Sequence, residues 1–170
     1  MIRVQREDFD VGAEMSAMSG KNVGALASFT GLVRGSDGDA AIGAMTLEHY
    51  PGMTEKNLAE IEAEARQRWP LEDCLVIHRY GRLEPGERIV LVITASSHRR
   101  AALESCAFLI DWLKTSAPFW KLEERDDGKS GLRRVPRTTK LRKNGRSPRN
   151  SLRRSRGLTA LTDFRVVIFH

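Results

Sequence analysis

The sequence contains little cysteine and no long hydrophobic run. Its two cysteines, Cys74 and Cys106, are not arranged as CxxC, which argues against a disulfide scaffold and a zinc finger. The most apolar stretch, residues 89–95, is far shorter than the ~20 residues that span a bilayer. The first residues turn polar at once and lack the apolar run of a secretion signal. We therefore expect a cytoplasmic protein rather than a membrane or secreted one.

Several familiar catalytic motifs are also absent. The chain has no GxxxxGK[ST] loop, no GxGxxG ahead of a helix, no HExxH and no GxSxG. Nucleotide hydrolysis by a P-loop, dinucleotide chemistry and Ser-His hydrolysis therefore lack support. No set of metal ligands is visible in the pattern, so we expect neither a metal nor a cofactor.

Charge is divided unevenly along the 170 residues. Residues 129–170 hold 13 Lys and Arg but a single acid, Asp163, whereas residues 1–128 hold 15 basic and 21 acidic residues. The net charge of +6 therefore combines an acidic domain (−6) with a basic appendage (+12). A hydrophobic content of 41% and this length suit one globular domain plus a tail.

Hydrophobic periodicity predicts more strands than helices. Asp10 can cap a short helix that ends near Met18, and Thr54 is the expected N-cap of an amphipathic helix that ends before Pro70. A third helix is expected over residues 99–114. The predicted strands lie at residues 2–5, 24–33, 44–47, 74–78, 88–95 and 119–124. A turn or loop is expected over residues 35–39, and a loop that holds Gly81, Pro85 and Gly86 is expected to join the fourth and fifth strands. Because strands and helices do not alternate strictly, the pattern favours an α+β fold with a mixed or antiparallel sheet and two main amphipathic helices.

Basic residues occupy special backbone positions at four places. Arg34 ends the segment FTGLVR, while Lys114 and Lys121 flank the segment TSAPFW. His98 and Arg99 stand at the start of the third helix, where free N–H groups and the positive end of the helix dipole attract anions. Each has a plainer interpretation, such as a solvated side chain or the usual preference for cations in a last helical turn. Together they predict an anion-binding α+β domain that could use lysine chemistry.

Two other groups look reactive but are predicted to be structural. Glu48 and His49 are neighbours, but adjacent strand residues point to opposite faces, so His49 is not expected to form an acid–base pair. Cys74 and Cys106 lie in apolar patterns and are expected to be buried and inert.

Four separated segments closely resemble the large, catalytic subunit of molybdopterin synthase. They are FTGLVR, TLEHYPGM, SHR and LKTSAPFWK, and the resemblance runs in order from about Ile2 to Gly131. It implies an α+β hammerhead-type domain that forms a homodimer within a heterotetramer, with a small ubiquitin-like subunit at each end. It also implies that the thiocarboxylated Gly-Gly C-terminus of the small subunit delivers sulfur to cyclic pyranopterin monophosphate. The product of such a reaction is molybdopterin, in molybdenum cofactor biosynthesis.

The resemblance further implies roles for the matching residues. Lys114 is expected at the reacting centre with Lys121 beside it, and these two are the expected catalytic residues. A lysine crowded by Lys121 and Arg99 should have a lowered pKa, which suits proton transfer near neutral pH. Arg34, His98 and Arg99 are expected on the phosphate and pterin, and the whole expected substrate site is Phe29, Leu32, Val33, Arg34, His98, Arg99, Lys114, Lys121, Leu122 and Glu123.

The resemblance stops at the basic tail. Family members usually continue as an acidic, alanine-rich helix, whereas the segment after residue 131 is basic. Residues 132–145, back-translated with GC-rich codons and read two bases later, can spell EARPADDEAAEKW, a typical family ending. The sequence therefore predicts residues 1–131 as the family domain and residues 132–170 as a disordered, frame-shifted extension. The arginine that the family carries in that segment would then be missing.

Two alternatives from other classes stay open. A genuine basic tail would bind nucleic acid in a salt-dependent way, although nucleic acid is not the expected partner. The chain could also be an anion-binding scaffold that keeps the fold without the activity. Turnover of the cyclic pterin with a thiocarboxylated small subunit separates the enzyme from both alternatives.

Overall fold

The computed structural model describes residues 1–37, 40–125 and 131–134. Within these residues the helices are α1 (Val11–Ala17), α2 (Met53–Arg68) and α3 (Arg99–Thr115). The strands are β1 (Ile2–Gln5), β2 (Ala25–Leu32), β3 (Ser36–Asp37), β4 (Ala40–His49), β5 (Asp73–Arg79), β6 (Gly81–Leu83), β7 (Arg88–Ser96), β8 (Phe119–Arg125) and β9 (Gly131–Arg134). None of the described helices is long and apolar enough to cross a membrane.

The first sheet is the buried scaffold of the molecule. Its strand order is β1-β5-β7-β2, with β1 parallel to β5 and the other pairs antiparallel. On β5, Cys74 and Val76 face a core shared with α2 and α3, whereas Leu75 and Ile77 face a second core with α1. Because alternate strand residues point to opposite faces, one apolar strand contributes to two cores.

The second sheet has the order β3-β4-β8-β9, and β6 also pairs with β4. Strands β4 and β8 are antiparallel, with Leu47 opposite Lys121 and Met45 opposite Glu123. These four side chains share one face of the sheet because they alternate along their strands and are paired across them. Two sheets of mixed and antiparallel strands with two long helices confirm the predicted α+β class.

Helix α3 is held firmly against the first sheet. The Thr94 hydroxyl on β7 donates a buried hydrogen bond of 2.7 Å to the Ala102 carbonyl. Further along the helix, Leu109 and Ile110 are buried in the core between α3 and the sheet. This packing fixes the helix axis and therefore decides where its last turn, with Lys114, lies.

Helices α1 and α2 begin in different ways. The predicted Asp10 cap is confirmed, since Asp10 Oδ1 accepts the Ala13 N–H at 3.0 Å. The predicted Thr54 cap is wrong, because the N-cap is Gly52 and its N–H donates to the Glu55 carboxylate at 2.7 Å. Gly52 has a φ of 82°, which a residue without Cβ adopts readily. The chain therefore turns into the helix two residues earlier than expected.

Some strands extend beyond the predicted segments. Strand β4 covers Ala40–His49 rather than residues 44–47, and β3 and β6 lie in segments that were expected to be loops. Both short strands pair with β4. They form because the long neighbouring strand β4 supplies backbone hydrogen-bond partners. The amino-acid composition of the two short segments does not reveal this pairing. Residues 38–39 of the expected loop lie outside the described residues.

The last described strand reaches into the predicted extension. Strand β9 (Gly131–Arg134) pairs antiparallel with β8 through its backbone. The expected domain boundary after residue 131 therefore falls inside this strand. The extension from residue 135 to residue 170 lies outside the described residues, so its disorder and its frame-shifted origin stay predictions.

Candidate active site

A cavity of about 360 Å³ lies where the two sheets meet the C-terminal end of α3. Most of its wall is apolar and comes from β2, β4, β7 and β8, which are far apart in the sequence. The polar side chains in the wall are Arg34, His78, Lys114, Lys121 and Glu123. This size and this mixture of surfaces suit one small ligand that has both an apolar ring and a charged group.

Lys114 reaches the cavity from the last turn of α3. Its Nζ atom lies 5.6 Å from the centroid of the Phe29 ring on β2. A cation over an aromatic face is attracted by the electron density of the ring. Phe29 therefore positions Lys114, although Phe29 itself does not line the cavity within the described residues.

Lys121 and Glu123 form an ion pair on β8, and both side chains line the cavity. They are two residues apart on a strand, so they point to the same side of the sheet. Glu123 is buried, and Lys121 is the more exposed of the two. Leu122 lies between them on the opposite face and is not part of the cavity wall.

The segment that follows β2 supplies a third cation to the cavity rim. Leu32, Val33 and Arg34 all line the cavity. Val33 is buried, whereas Leu32 is exposed. The Arg34 guanidinium is exposed and lies 3.9 Å from the Asp37 carboxylate. An exposed pair of this kind contributes little to stability, so Arg34 can move toward an anionic ligand at little cost.

His98 and Arg99 lie at the other end of α3. His98 is the N-cap of the helix, and both side chains are exposed and absent from the cavity wall. Fifteen residues separate Arg99 from Lys114, which at ~1.5 Å per residue places them about 22 Å apart along the helix axis. The expected crowding of Lys114 by Arg99 therefore does not occur within one chain.

His78 is a cavity residue that the sequence reasoning missed. It is buried at the end of β5, and its ring is stacked on Phe119 with centroids 3.7 Å apart and an interplanar angle of 16°. Burial lowers the pKa of His78 to about 4. The feature of the sequence that could have indicated this position is that His78 is the polar last residue of an otherwise apolar predicted strand, residues 74–78. The sequence pattern places Phe119 on a strand, and in the structure its side chain also lines the cavity.

The residues that were predicted to be structural, His49, Cys74 and Cys106, do not line the cavity. His49 is outside the cavity wall, and its ring packs 4.5 Å from that of Tyr80. Among the described residues, the carboxylate within 4 Å of its ring is that of Glu55, at 3.8 Å, and not that of Glu48. Cys74 and Cys106 are buried, and burial raises the pKa of each thiol to about 12. Both cysteines are therefore poor nucleophiles, as predicted.

The assembled site offers cations, one carboxylate and one neutral ring nitrogen against an apolar wall. No cluster of three or more His, Cys, Asp or Glu side chains among the described residues is arranged to hold a metal ion. The groups present can bind an anion and transfer protons. These features define an α+β domain with a lysine-bearing pocket that is suited to a small anion.

Comparison with known proteins names the family. A family model described as MoaE protein matches residues 4–116, and the chain belongs to this family. It is 54% identical over 132 residues to a molybdopterin synthase catalytic subunit from Mesorhizobium japonicum. The matched region covers 76% of this chain and 82% of that protein. The resemblance seen in the sequence is thereby confirmed.

Two solved structures have the same fold. The molybdopterin biosynthesis MoaE protein from Burkholderia ambifaria matches with a TM-score of 0.67 and 51% identity, covering 77% of this chain and 86% of that one. The molybdopterin synthase structure from Staphylococcus aureus matches with a TM-score of 0.72 and 29% identity, covering 77% and 95% of the two chains.

Proposed function

We propose that this chain is the catalytic subunit of a molybdopterin synthase, a cytoplasmic sulfurtransferase of molybdenum cofactor biosynthesis. It converts cyclic pyranopterin monophosphate to molybdopterin with sulfur from the thiocarboxylated Gly-Gly C-terminus of a small ubiquitin-like subunit. The observation that carries this proposal is the convergence of Lys114 and Lys121 on one cavity in a chain of the MoaE family.

The cavity suits the two parts of that substrate. Met45, Leu47 and Phe119 offer apolar surface to a pterin ring. Arg34 and Lys114 offer positive charge to a phosphate, and charge-assisted hydrogen bonds of this type are among the stronger ones in proteins. The sulfur donor is also an anion, so the same cations reduce the repulsion between donor and substrate.

Lysine is suited to the chemistry as well as to the binding. Opening the cyclic phosphate and releasing the acyl group of the small subunit both require proton transfers. The Lys114 ammonium can donate such a proton, whereas an arginine does not lose its proton. The ion pair with Glu123 holds the Lys121 ammonium at the cavity wall. In this position the ammonium can stabilise negative charge that develops during sulfur transfer.

His98 and Arg99 fit this proposal only if a second chain contributes them. One chain places them about a helix length from Lys114, and the expected assembly is a homodimer. In such a dimer, the α3 N-terminus of one protomer supplies the phosphate contacts of the cavity in its partner. Mixed dimers of Lys114→Ala and Arg99→Ala chains should then regain activity, because one of the two sites contains both native residues. Mixed dimers no more active than the parents would refute the shared site.

The proposed reaction is tested with the full chain, a thiocarboxylated small subunit and cyclic pyranopterin monophosphate. Molybdopterin should form, and a small subunit with an ordinary C-terminal carboxylate should give none. Binding of the pterin without turnover would instead support a non-catalytic scaffold. Salt-dependent binding of any duplex DNA, lost on removal of the tail, would support the nucleic-acid alternative.

Residues 132–170 are an extension that the proposed enzyme does not need for folding. Two truncations test this, one after Gly131 and one after Arg134, since only the second keeps all of β9. Both should retain the dimer and the melting temperature, and replacement of the tail with the alternative-frame sequence should raise activity. A domain that unfolds after either truncation would show that the tail is part of the fold.

A further inference from the structure

Among the described residues, His78 is the histidine that lines the cavity, and its ring is held on two sides. One face stacks on Phe119, with centroids 3.7 Å apart, and Nδ1 lies 2.9 Å from the Arg79 carbonyl oxygen. The ring plane and its rotation are therefore both fixed. A side chain held in this way presents the same edge to whatever occupies the cavity.

The hydrogen bond to Arg79 also sets the tautomer. A carbonyl oxygen can only accept, so Nδ1 must carry the proton and donate it. Burial lowers the pKa of His78 to about 4, so the ring is neutral at physiological pH and Nε2 keeps its lone pair. His78 thus offers a hydrogen-bond acceptor at Nε2.

This acceptor differs from the other polar groups of the cavity wall. Arg34, Lys114 and Lys121 can only donate hydrogen bonds, and the Glu123 carboxylate is in an ion pair with Lys121. Among the described residues, the ring of His78 is hydrogen-bonded to the protein through Nδ1 and not through Nε2. A ligand with an N–H group would supply that donor.

We propose that His78 Nε2 accepts a hydrogen bond from an N–H group of the substrate heterocycle and so selects and orients the pterin in the cavity. The proposal rests on the proposed function, because the pterin supplies the N–H edge. Arg34 and Lys114 bind the phosphate, and His78 forms a hydrogen bond with the heterocycle, so the ligand is fixed at two points. His78 is therefore a specificity residue.

Two substitutions separate this role from a purely structural one. An asparagine amide reaches the position of Nδ1 and can keep the bond to the Arg79 carbonyl, but it leaves nothing at Nε2. A glutamine amide reaches the position of Nε2 and restores an acceptor there. His78→Asn should raise the KM for cyclic pyranopterin monophosphate about tenfold with kcat little changed, and His78→Gln should stay within about threefold of the native enzyme.

The opposite order, with His78→Asn close to native and His78→Gln impaired, would overturn the proposal in favour of a structural role through Arg79. A native enzyme that makes no molybdopterin would instead refute the proposed function. Should either variant fail to fold, ¹⁵N-labelled histidine in the native chain gives the answer. The resonance of the unprotonated Nε2 of His78 should shift when the cyclic pterin is added without a sulfur donor, and an unchanged resonance would refute the contact.

Discussion

At its C-terminal end helix α3 places Lys114 in a cavity, whereas at its N-terminal end it leaves His98 and Arg99 in solvent. Lys114 has an aromatic neighbour, Phe29, and lines a mostly apolar cavity together with Lys121, whose ammonium is paired with Glu123. The N-terminal end has free N–H groups and positive charge but no wall. One chain therefore places a lysine on a cavity wall at one end of the helix and two exposed basic residues at the other.

The largest effect should follow from removing the lysine at the cavity end. Lys114→Ala should reduce the rate of molybdopterin formation by 10²–10⁴-fold, roughly the usual contribution of a general acid or base. Lys114→Arg should be nearly as inactive, because charge without proton transfer is insufficient. Single-turnover assays with the thiocarboxylated small subunit measure both variants, with the exposed Lys56→Ala on α2 as a control. Near-native turnover by the arginine variant would leave Lys114 an electrostatic role alone.

Replacement of the buried His78 should flatten the dependence of the free energy of unfolding on pH. The pKa of buried His78 is about 4 in the folded chain, below its ordinary value of 6.5, so the unfolded chain takes up the proton first as the pH falls. The free energy of unfolding is therefore at its full value above pH 6.5 and decreases toward pH 4, by about 3 kcal/mol from this group. Urea titrations at several pH values should show a flatter dependence for His78→Gln than for the native chain. Equal slopes in the two proteins would contradict the assignment.

At the N-terminal end, loss of one cation should weaken binding rather than catalysis. Arg99→Ala should lower substrate affinity about tenfold to a hundredfold, or roughly 1.5–3 kcal/mol for one charge-assisted contact. Calorimetric titration with cyclic pyranopterin monophosphate measures the change. The neighbouring Arg100→Ala is the matched control, since Arg100 bonds to Glu104 on the same helix. Unchanged affinity with a collapsed turnover would show that Arg99 does not bind the phosphate.

The smallest effect should come from the aromatic support of Lys114. Phe29→Leu removes the cation–π contact but keeps most of the apolar volume. An exposed contact of this kind is worth roughly 0.5–1 kcal/mol, so kcat/KM should fall about twofold to fivefold. Phe29→Tyr keeps an aromatic face and should retain native activity. A loss as large for tyrosine as for leucine would mean that the shape of Phe29, rather than its ring electrons, matters.

Local signals were sufficient for most of the elements. The 3.6-residue period marks α3, the Asp10 cap marks α1, and an apolar run marks β7. The Thr54 cap failed because the preceding Gly52 adopts a positive φ that the composition does not reveal. Strands β3 and β6 were missed because their pairing with β4 is a tertiary property.

The sequence by itself determined the family, the long helices and the main basic residues, because periodicity and motif identity are local properties of the chain. It also contained the separation of Arg99 from Lys114, since a helix over residues 99–114 fixes that length. Only the tertiary structure decided which side chains share a wall. The cavity brings together β2, β4, β5, β7, β8 and α3, and sheet register decides that Lys121 and Glu123 face inward while Leu122 does not. His78 joined the site for the same reason, because its position depends on the packing of Phe119 from 41 residues further along the chain.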